Sequence, residues 1–522
     1  MKKTYLWLLL IIALASFFRL YNLPQTPPGL YPDEAMNGNN ALEALHTGEY
    51  KIFYPENNGR EGLFINLQAA FLGFLESSDV SPTQPWALRF PSAIFGVLTV
   101  LGLYFLTKEL FHFENQDLFR ISRGELIALL SSFFLAVSFW HINFSRVGFR
   151  AIMAPAFLIW ALYFFLKTIK LSSRQRRYNN WKLKIENWSL PIIAGAIMGL
   201  GFYSYIAYRA LPLLFLIFIP FLWRSKRFWQ ATAAFIVGAI ITSAPLGLYF
   251  FNHPADFLGR TSQISVFSSA SPLKDLTVNT LKTAAMFNFT GDGNWRHNLA
   301  GAPELYWPVG ILFLIGLILA LKNIFFSVIP AKAEIQKIKN WNLFGIWNLK
   351  FVILLTWLLI SALPVIISNE GLPHALRAIL MIPPVFILAG IGGVWIYEYL
   401  KNILPHHRRL LFILSLVFLA TITINAYNTY FLKWATNPAT AASFNQDYVN
   451  LAAQLNSLPP AIPKYVIVKS VGVDVRGLPM PAQTVMFLTD TFLPESRVSK
   501  NIFYLLPSQT GSVPPTALLF HI

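Results

Sequence analysis

Twelve apolar runs follow one another between Tyr5 and Ala426, and no other feature limits the possible folds as strongly. They are Tyr5–Leu20, Leu63–Leu75, Phe90–Leu106, Leu126–Trp140, Ile152–Leu166, Leu190–Tyr205, Leu211–Trp223, Ala231–Phe251, Tyr306–Leu321, Phe351–Ile367, Ala378–Tyr397 and Leu410–Ala426. Runs of this length and frequency define a polytopic membrane protein, because lipid accepts only chains that satisfy their own backbone as helices or closed barrels. Only 12% of the residues are charged, against about 25% in an average soluble domain. One run stands apart. Leu63–Leu75 is short, sits between Arg60-Glu61 and Glu76, and at about 1.5 Å per residue cannot cross a hydrocarbon layer about 30 Å thick.

The basic residues decide the topology. If Leu63–Leu75 lies on the membrane surface, loops on the amino-terminal side carry 23 of the 41 lysines and arginines, the opposite loops 12 and the tail 6. The rich loops include "KTIKLSSRQRRYNNWKLK", "RSKR" and "KNILPHHRR". Were the short run a span, every later loop would invert and these would face outward, against the positive-inside rule. The expectation is therefore eleven spanning helices and one interfacial helix in a cytoplasmic (inner) membrane, with the amino terminus cytoplasmic and the tail extracytoplasmic. The first run, with Lys2-Lys3 and Ala13-Leu14-Ala15, also carries signal-peptide features. It reads as an uncleaved anchor. The formal charge of +17 is distributed between apolar runs, so it marks topology and not a nucleic-acid surface. There is no cysteine, which removes disulfides, thiolate nucleophiles and cysteine-based metal sites.

Residues 1–427 thus form a transmembrane domain with two long outer loops, 22–89 and 252–303, and 428–522 form a separate extracytoplasmic unit. In the tail, "DYVNLAAQLNSL" has helical period, while "KYVIVKSV", "NIFYLLP" and "ALLFHI" are short strand-like runs bounded by prolines. A small α/β domain is expected there. The segment Phe325–Trp341 reads as a polar inner connector, and no repeat, Walker loop or dinucleotide fingerprint is present.

The ionisable residues near membrane depth gather at the outer helix ends, where such groups default to functional candidates. They are Asp33-Glu34 in "PPGLYPDEA", Arg60-Glu61 in "NNGREGLF", Arg89 in "WALRFPSAI" and His141, Arg146 and Arg150 in "WHINFSRVGFRA". Asp292, Arg296 and His297 in "GDGNWRHN" and Glu370, His374 and Arg377 in "SNEGLPHALRAIL" complete the set. Carboxylates among arginines suit a phosphate-bearing lipid substrate, since arginine binds phosphate bidentately and a carboxylate can act as general base. Simpler roles stand beside these. Asp33 reads equally as the N-cap of a helix from Glu34 to Thr47 stopped by Gly48. Arg89 reads as a snorkelling anchor, Arg146 and Arg150 as headgroup contacts on one helix face, and His141 and His297 as structural histidines.

The ordered set "PPGLYPDEA", "REGLF", "LRFPSAIFGVLTVLGLYFLTKELF", "FSRVGFR", "GDGNWRHN" and "PHALRAILMIPPV" resembles the GT-C superfamily of membrane glycosyltransferases. The nearest likeness is the branch of protein O-mannosyltransferases and the lipid A aminoarabinose transferase. The resemblance implies transfer, with inversion, of a sugar from a polyprenyl-phosphate donor to a lipid, glycan or protein acceptor. It implies Asp33 as catalytic base with Glu34 beside it, and Arg60, Glu61, Arg89, Arg146, Arg150, His374 and Arg377 as donor-phosphate or substrate residues. Asp292 and His297 fall to acceptor or loop contacts. Many relatives carry a second acidic residue near the Ser-Arg pair. Here Ser145-Arg146 is followed by "VGFRAIMAP" without one, and Asp33 with Glu61 makes a poor hard-cation site. Metal-independent transfer is expected, with no metal ligand or cofactor assigned; the alternative is a divalent metal, with Asp292 substituting for the missing acid from a distance. The rival is a transporter or flippase for a phosphate-bearing lipid, which would place its charges near the midplane.

Overall fold

The computed structural model describes residues 2–111, 122–174, 181–257, 266–327 and 341–522. Each expected apolar run carries a helix, and the ends shift where capping chemistry dictates. The chain opens with α1 (Lys2–Leu20), then α2 (Pro32–Thr47), a two-residue hairpin of β1 (Phe53–Tyr54) and β2 (Arg60–Glu61), and α3 (Leu63–Ser77). There follow α4 (Pro85–Leu110), α5 (Arg123–Ala136), the short α6 (Phe139–Phe144), α7 (Met153–Arg174) and α8 (Trp181–Gly201). A 3-10 helix, Ile206–Ile217, runs into α9 (Phe218–Leu222). Next come α10 (Lys226–Asn252), α11 (Pro272–Ala285), α12 (Trp307–Ser327), α13 (Trp341–Ile366), α14 (Ile382–Ile403) and α15 (Arg408–Tyr427). Seven helical stretches among the described residues are long and apolar enough to cross a membrane. The segments led by α1, α5, α8 and Ile206 are shorter or less apolar by that measure. The connector expected at Phe325–Trp341 lies mostly outside the described residues.

α3 does not reach spanning length. It packs its Phe64, Ile65, Ala69 and Leu72 face inward and leaves Leu67 and Phe74 exposed. One apolar face against the protein and one turned out is the pattern of a helix lying in an interface.

The tail does not begin where composition suggests. α15 continues without a break through a π-helical turn, Asn428–Trp434, before α16 (Pro438–Ser443) and α17 (Gln446–Ser457). The three strand-like runs become β3 (Lys464–Ile467), then, after a β4 (Asp474–Val475) and β5 (Leu478–Pro479) hairpin, β6 (Ile502–Leu505) and β7 (Leu518–His521). β3 lies between β6 and β7, parallel to both. α18 (Ala482–Thr489) and α19 (Pro494–Lys500) complete the unit.

Two apolar cores result. One lies within the helical bundle around Trp140 and Trp357, and the other joins the first outer loop to the tail. In the second, Met36, Ala41, Ala69 and Leu88 pack with Val466, Val485, Met486 and Phe487. A Cβ at Gly38 would collide with the Phe487 ring, so a bare backbone is needed where α2 meets α18. Asn39 donates to the backbone and side-chain oxygens of Gln483, and Thr484 donates to Leu30 O. At the rim, Arg476 in the β4–β5 turn pairs with Glu43 of α2 and Glu56 of the first hairpin, each at 2.8 Å. The tail is thus a lid fixed onto α2.

Burial pushes the Glu56 carboxyl up, but its bonds with Arg476 outweigh this and hold it below the usual range. That stabilisation is present above the unfolded carboxyl pKa of about 4.3 and is lost as pH falls through the lowered folded value. Arg476→Ala is expected to remove about 1 kcal/mol from the lid contact, seen as faster hydrogen exchange in α18. Acidifying the wild-type protein below about pH 4 moves exchange the same way; unchanged exchange in both would contradict the clamp.

Candidate functional site

The site is built on the first turn of α2. Asp33 does not cap the helix: Tyr31 holds the cap position and Pro32 the first helical one, where its fixed φ fits and its missing N–H costs nothing. Asp33 and Glu34 follow in the turn where the helix dipole favours negative charge. About 100° apart on the helix, they meet opposite surroundings.

Glu34 points inward and is fully buried. Its Oε2 accepts from Arg89 Nε at 2.9 Å and from the Gly148 amide at 2.7 Å, and its Oε1 from Arg89 at 3.2 Å. Arg89 also donates to Pro27 O and Gly29 O at 2.7 and 2.8 Å. The Arg89 guanidinium is sealed from the rim, on Glu34 and two loop carbonyls, and Glu34 is buried as deeply as its partner.

Arg146 is also fully buried, donating to Phe18 O, Tyr21 O and Thr26 O at 2.8–3.0 Å beneath Phe431. The first two lie at the end of α1, where helices leave acceptors unsatisfied and carry partial negative charge, and the third in the loop beyond it. Arg19 does the same for α5, donating to Leu135 O and Ala136 O and meeting His141 Nδ1 at 2.7 Å. Arg146 is thus occupied by carbonyls at and beyond the end of α1. His141 is buried, its Nδ1 facing Arg19 and Ser145.

Asp33 faces the hairpin and keeps 37% of its side chain exposed. Its Oδ1 accepts from Asn57 at 2.6 Å and from Arg60 at 2.8 Å. Both bonds fall on one oxygen of a part-exposed carboxylate. The sequence "NNG" makes this possible: Asn57, Asn58 and Gly59 all have positive φ, a run that asparagine and glycine tolerate best. The turn sets Tyr54 opposite Arg60 and Phe53 opposite Glu61.

Glu61 is buried between two arginines, Arg150 at 2.7 Å and Arg209 at 3.6 Å. Arg209 stacks on Phe257 and Phe250. From the long outer loop, Arg296 lies over the Tyr31 ring, 3.8 Å from its centre. Burial first, then the nearby Asp33, pushes the Tyr31 phenol up, with Arg296 and Arg60 opposing. Asn57 and Arg209 escaped the sequence reading, and Arg296 was noted without a role. The "NNG" turn and a lone arginine between two apolar runs were the available signals.

The remaining candidates form a second group. Arg377 is committed to Glu370 Oε2 at 2.6 Å, to Glu370 O at 2.8 Å and to Ser368. Asp292, His297 and His374 converge: Asp292 Oδ2 lies 2.9 Å from His297 Nδ1 and 3.8 Å from His374 Nδ1. The two imidazoles stack at 4.8 Å. Burial pushes both imidazoles down, His374 to about 3 with help from His297 and Arg377. Burial acts to raise the Asp292 carboxyl, but bonds from His297 and two backbone amides leave it below its usual range. These three were expected to act separately, as donor, acceptor and loop contacts.

Seven apolar helices of spanning length among the described residues, with a charged rim under a lid, mark a multi-pass membrane protein. Among solved structures, the fold is similar to ArnT from Cupriavidus metallidurans bound to undecaprenyl phosphate, with TM-score 0.53 and 14% identity. That match covers 99% of this chain and 89% of the other. The apo form of ArnT gives TM-score 0.54 at 14% identity over 92% of this chain and 84% of the other. The Archaeoglobus fulgidus oligosaccharyltransferase, in complex with Zn and sulfate, gives 0.51 at 13% identity. It matches over 96% of this chain, which spans only 62% of that enzyme's length. No family model matches the chain, and no curated protein matches it in sequence.

Glu34→Ala or Arg89→Ala should each cost about 3–5 kcal/mol, because a buried charge is left without its partner. Asp33→Asn, at an open position, should cost under about 1 kcal/mol. Thermal unfolding in detergent distinguishes the two, and equal losses at all three positions would contradict the division of roles.

Proposed function

We propose that this chain is an inverting membrane glycosyltransferase that moves a sugar from a polyprenyl-phosphate donor to an extracytoplasmic acceptor. The carrying observation is Asp33: a part-open carboxylate held through one oxygen by Asn57 and Arg60, with Arg296 on the neighbouring Tyr31 and Arg150 and Arg209 on Glu61 of the same hairpin. The similarity in fold to ArnT, whose solved complex holds undecaprenyl phosphate, supports the donor class. The charged rim also argues against a transporter, which would set such groups near the midplane.

Asp33 is the general base. Its Oδ2 takes the proton of an acceptor hydroxyl or amine as that atom bonds to the anomeric carbon from the face opposite the phosphate. A carboxylate paired with arginine is a weak base, so the proton moves late, once bond formation has acidified the nucleophile. Arg60 and Asn57 fix the carboxylate and restrict its rotation.

The leaving group is a polyprenyl phosphate that gains a negative charge as the glycosidic bond breaks. Arg60, Arg150, Arg209 and Arg296 lie in this part of the rim with Asp33 and Glu61, four guanidinium groups beside two carboxylates. Such a set matches a phosphate monoester near its second ionisation. Preorganised guanidinium groups stabilise such charge without an acid or a metal at the reacting centre. The chain is placed in the cytoplasmic membrane with its amino terminus inside and lid outside, on the strength of its basic inner loops. α3 would lie along the interface beside the donor lipid.

Asp33→Asn should reduce turnover of polyprenyl-phosphate sugars by about 10²–10⁴-fold while the protein stays folded. Arg296→Ala and Arg209→Ala should lower kcat by about 10²-fold, without the stability loss of Arg89→Ala. Full activity of Asp33→Asn across a panel of such donors would overturn the assignment.

A further inference from the structure

We propose that Asp292, His297 and His374 bind one divalent transition-metal ion of the zinc class, which clamps the long outer loop to the segment entering α14. Two imidazoles and a carboxylate are a sufficient protein set for such an ion. The nitrogen ligands favour zinc, cobalt or nickel over magnesium or calcium, which prefer all-oxygen shells.

The geometry points to a shared centre. One ligand atom from each residue lies within 4.8 Å of the other two. Ligand bonds are about 2.0–2.2 Å, so drawing one imidazole inward by a few tenths of an ångström brings all three onto one ion. His297 Nδ1 hydrogen-bonds Asp292 Oδ2 at 2.9 Å, and His374 Nδ1 lies 3.8 Å from the same oxygen while accepting a long bond, 3.4 Å, from the Arg377 amide. Both ring nitrogens thus converge on one carboxylate oxygen.

A supporting shell is already in place. Asp292 Oδ1 accepts from the Asn294 amide and Oδ2 from the Ala375 amide, at 2.8 and 2.9 Å. Trp140 holds Ala375 through its carbonyl, and Glu304 receives the Asp292 amide. Such partners orient ligands and tune affinity. His374 keeps 14% of its side chain exposed, which gives an ion a way in.

The consequence is positional. Arg296 directly precedes His297 and stacks on Tyr31, so an ion here would hold that guanidinium against the cap of α2. The metal proposal is independent of the reaction assigned to Asp33.

The test uses the full chain in detergent, treated with a chelator and titrated with zinc or cobalt. Expected results are one zinc per chain by calorimetry, a raised Tm on zinc addition, and visible cobalt absorption bands from a nitrogen-oxygen site. His374→Gln and His297→Gln should each weaken zinc binding by at least about 10-fold, with the metal-free Tm close to wild type. The exposed His253→Gln should bind as wild type does. The wild-type titration alone decides the matter if either variant fails to fold. No stoichiometric zinc uptake by the wild-type chain, or wild-type affinity in both cluster variants, would overturn the proposal.

Discussion

The buried ion pair between Glu34 and Arg89 is the interaction on which the outer half of this protein depends. Removing two charges from water costs several kcal/mol per ion, and only dense hydrogen bonding offsets it. Here the bonding is dense: Arg89 meets both Glu34 oxygens and two loop carbonyls, and Glu34 also takes the Gly148 amide. Four segments therefore meet at one point: the loop after α1, the first turn of α2, the start of α4 and the turn before α7. The orientation of Asp33 follows. With Glu34 fixed inward, its predecessor must face the hairpin and the open rim.

The arginines divide by what they touch. Arg19, Arg89 and Arg146 are sealed in the protein and answer backbone carbonyls or a buried carboxylate. In a bundle whose outer helix ends are buried, unsatisfied carbonyls have no water to turn to, and a guanidinium can satisfy two or three at once. Arg60, Arg150, Arg209 and Arg296 instead gather on the side of Asp33 and Glu61. The first group fixes the helix ends; the second leaves a positive rim suited to a phosphate.

Much of the architecture was legible in the sequence because lipid imposes it. Apolar runs, basic inner loops and the three tail strands follow from solvent preference and β-propensity alone. Asp33 could also be found, since an acidic residue just beyond a first span has few roles. What could not be read was depth. Arg89 and Arg60 look alike in sequence and both are buried, yet one pairs with the sealed Glu34 and the other with the part-exposed Asp33. The cap was misplaced because Tyr31 is a poor capping type, and the Tyr-Pro order, not side-chain preference, decided the helix start. The grouping of Asp292, His297 and His374 needs two distant outer loops to be packed together, which no local pattern encodes. Nor does composition reveal that the tail shares its core with α2.

The central claim is that a lipid-phosphate group is held at the Asp33 rim by the second set of arginines. The most direct measurement is a structure of the chain with bound polyprenyl phosphate. The account predicts phosphate density within hydrogen-bond distance of at least two of Arg60, Arg150, Arg209 and Arg296, on the side of Asp33 Oδ2, with the Glu34–Arg89 pair intact. Phosphate bound instead at Arg377, or near the membrane midplane away from Asp33, would contradict it.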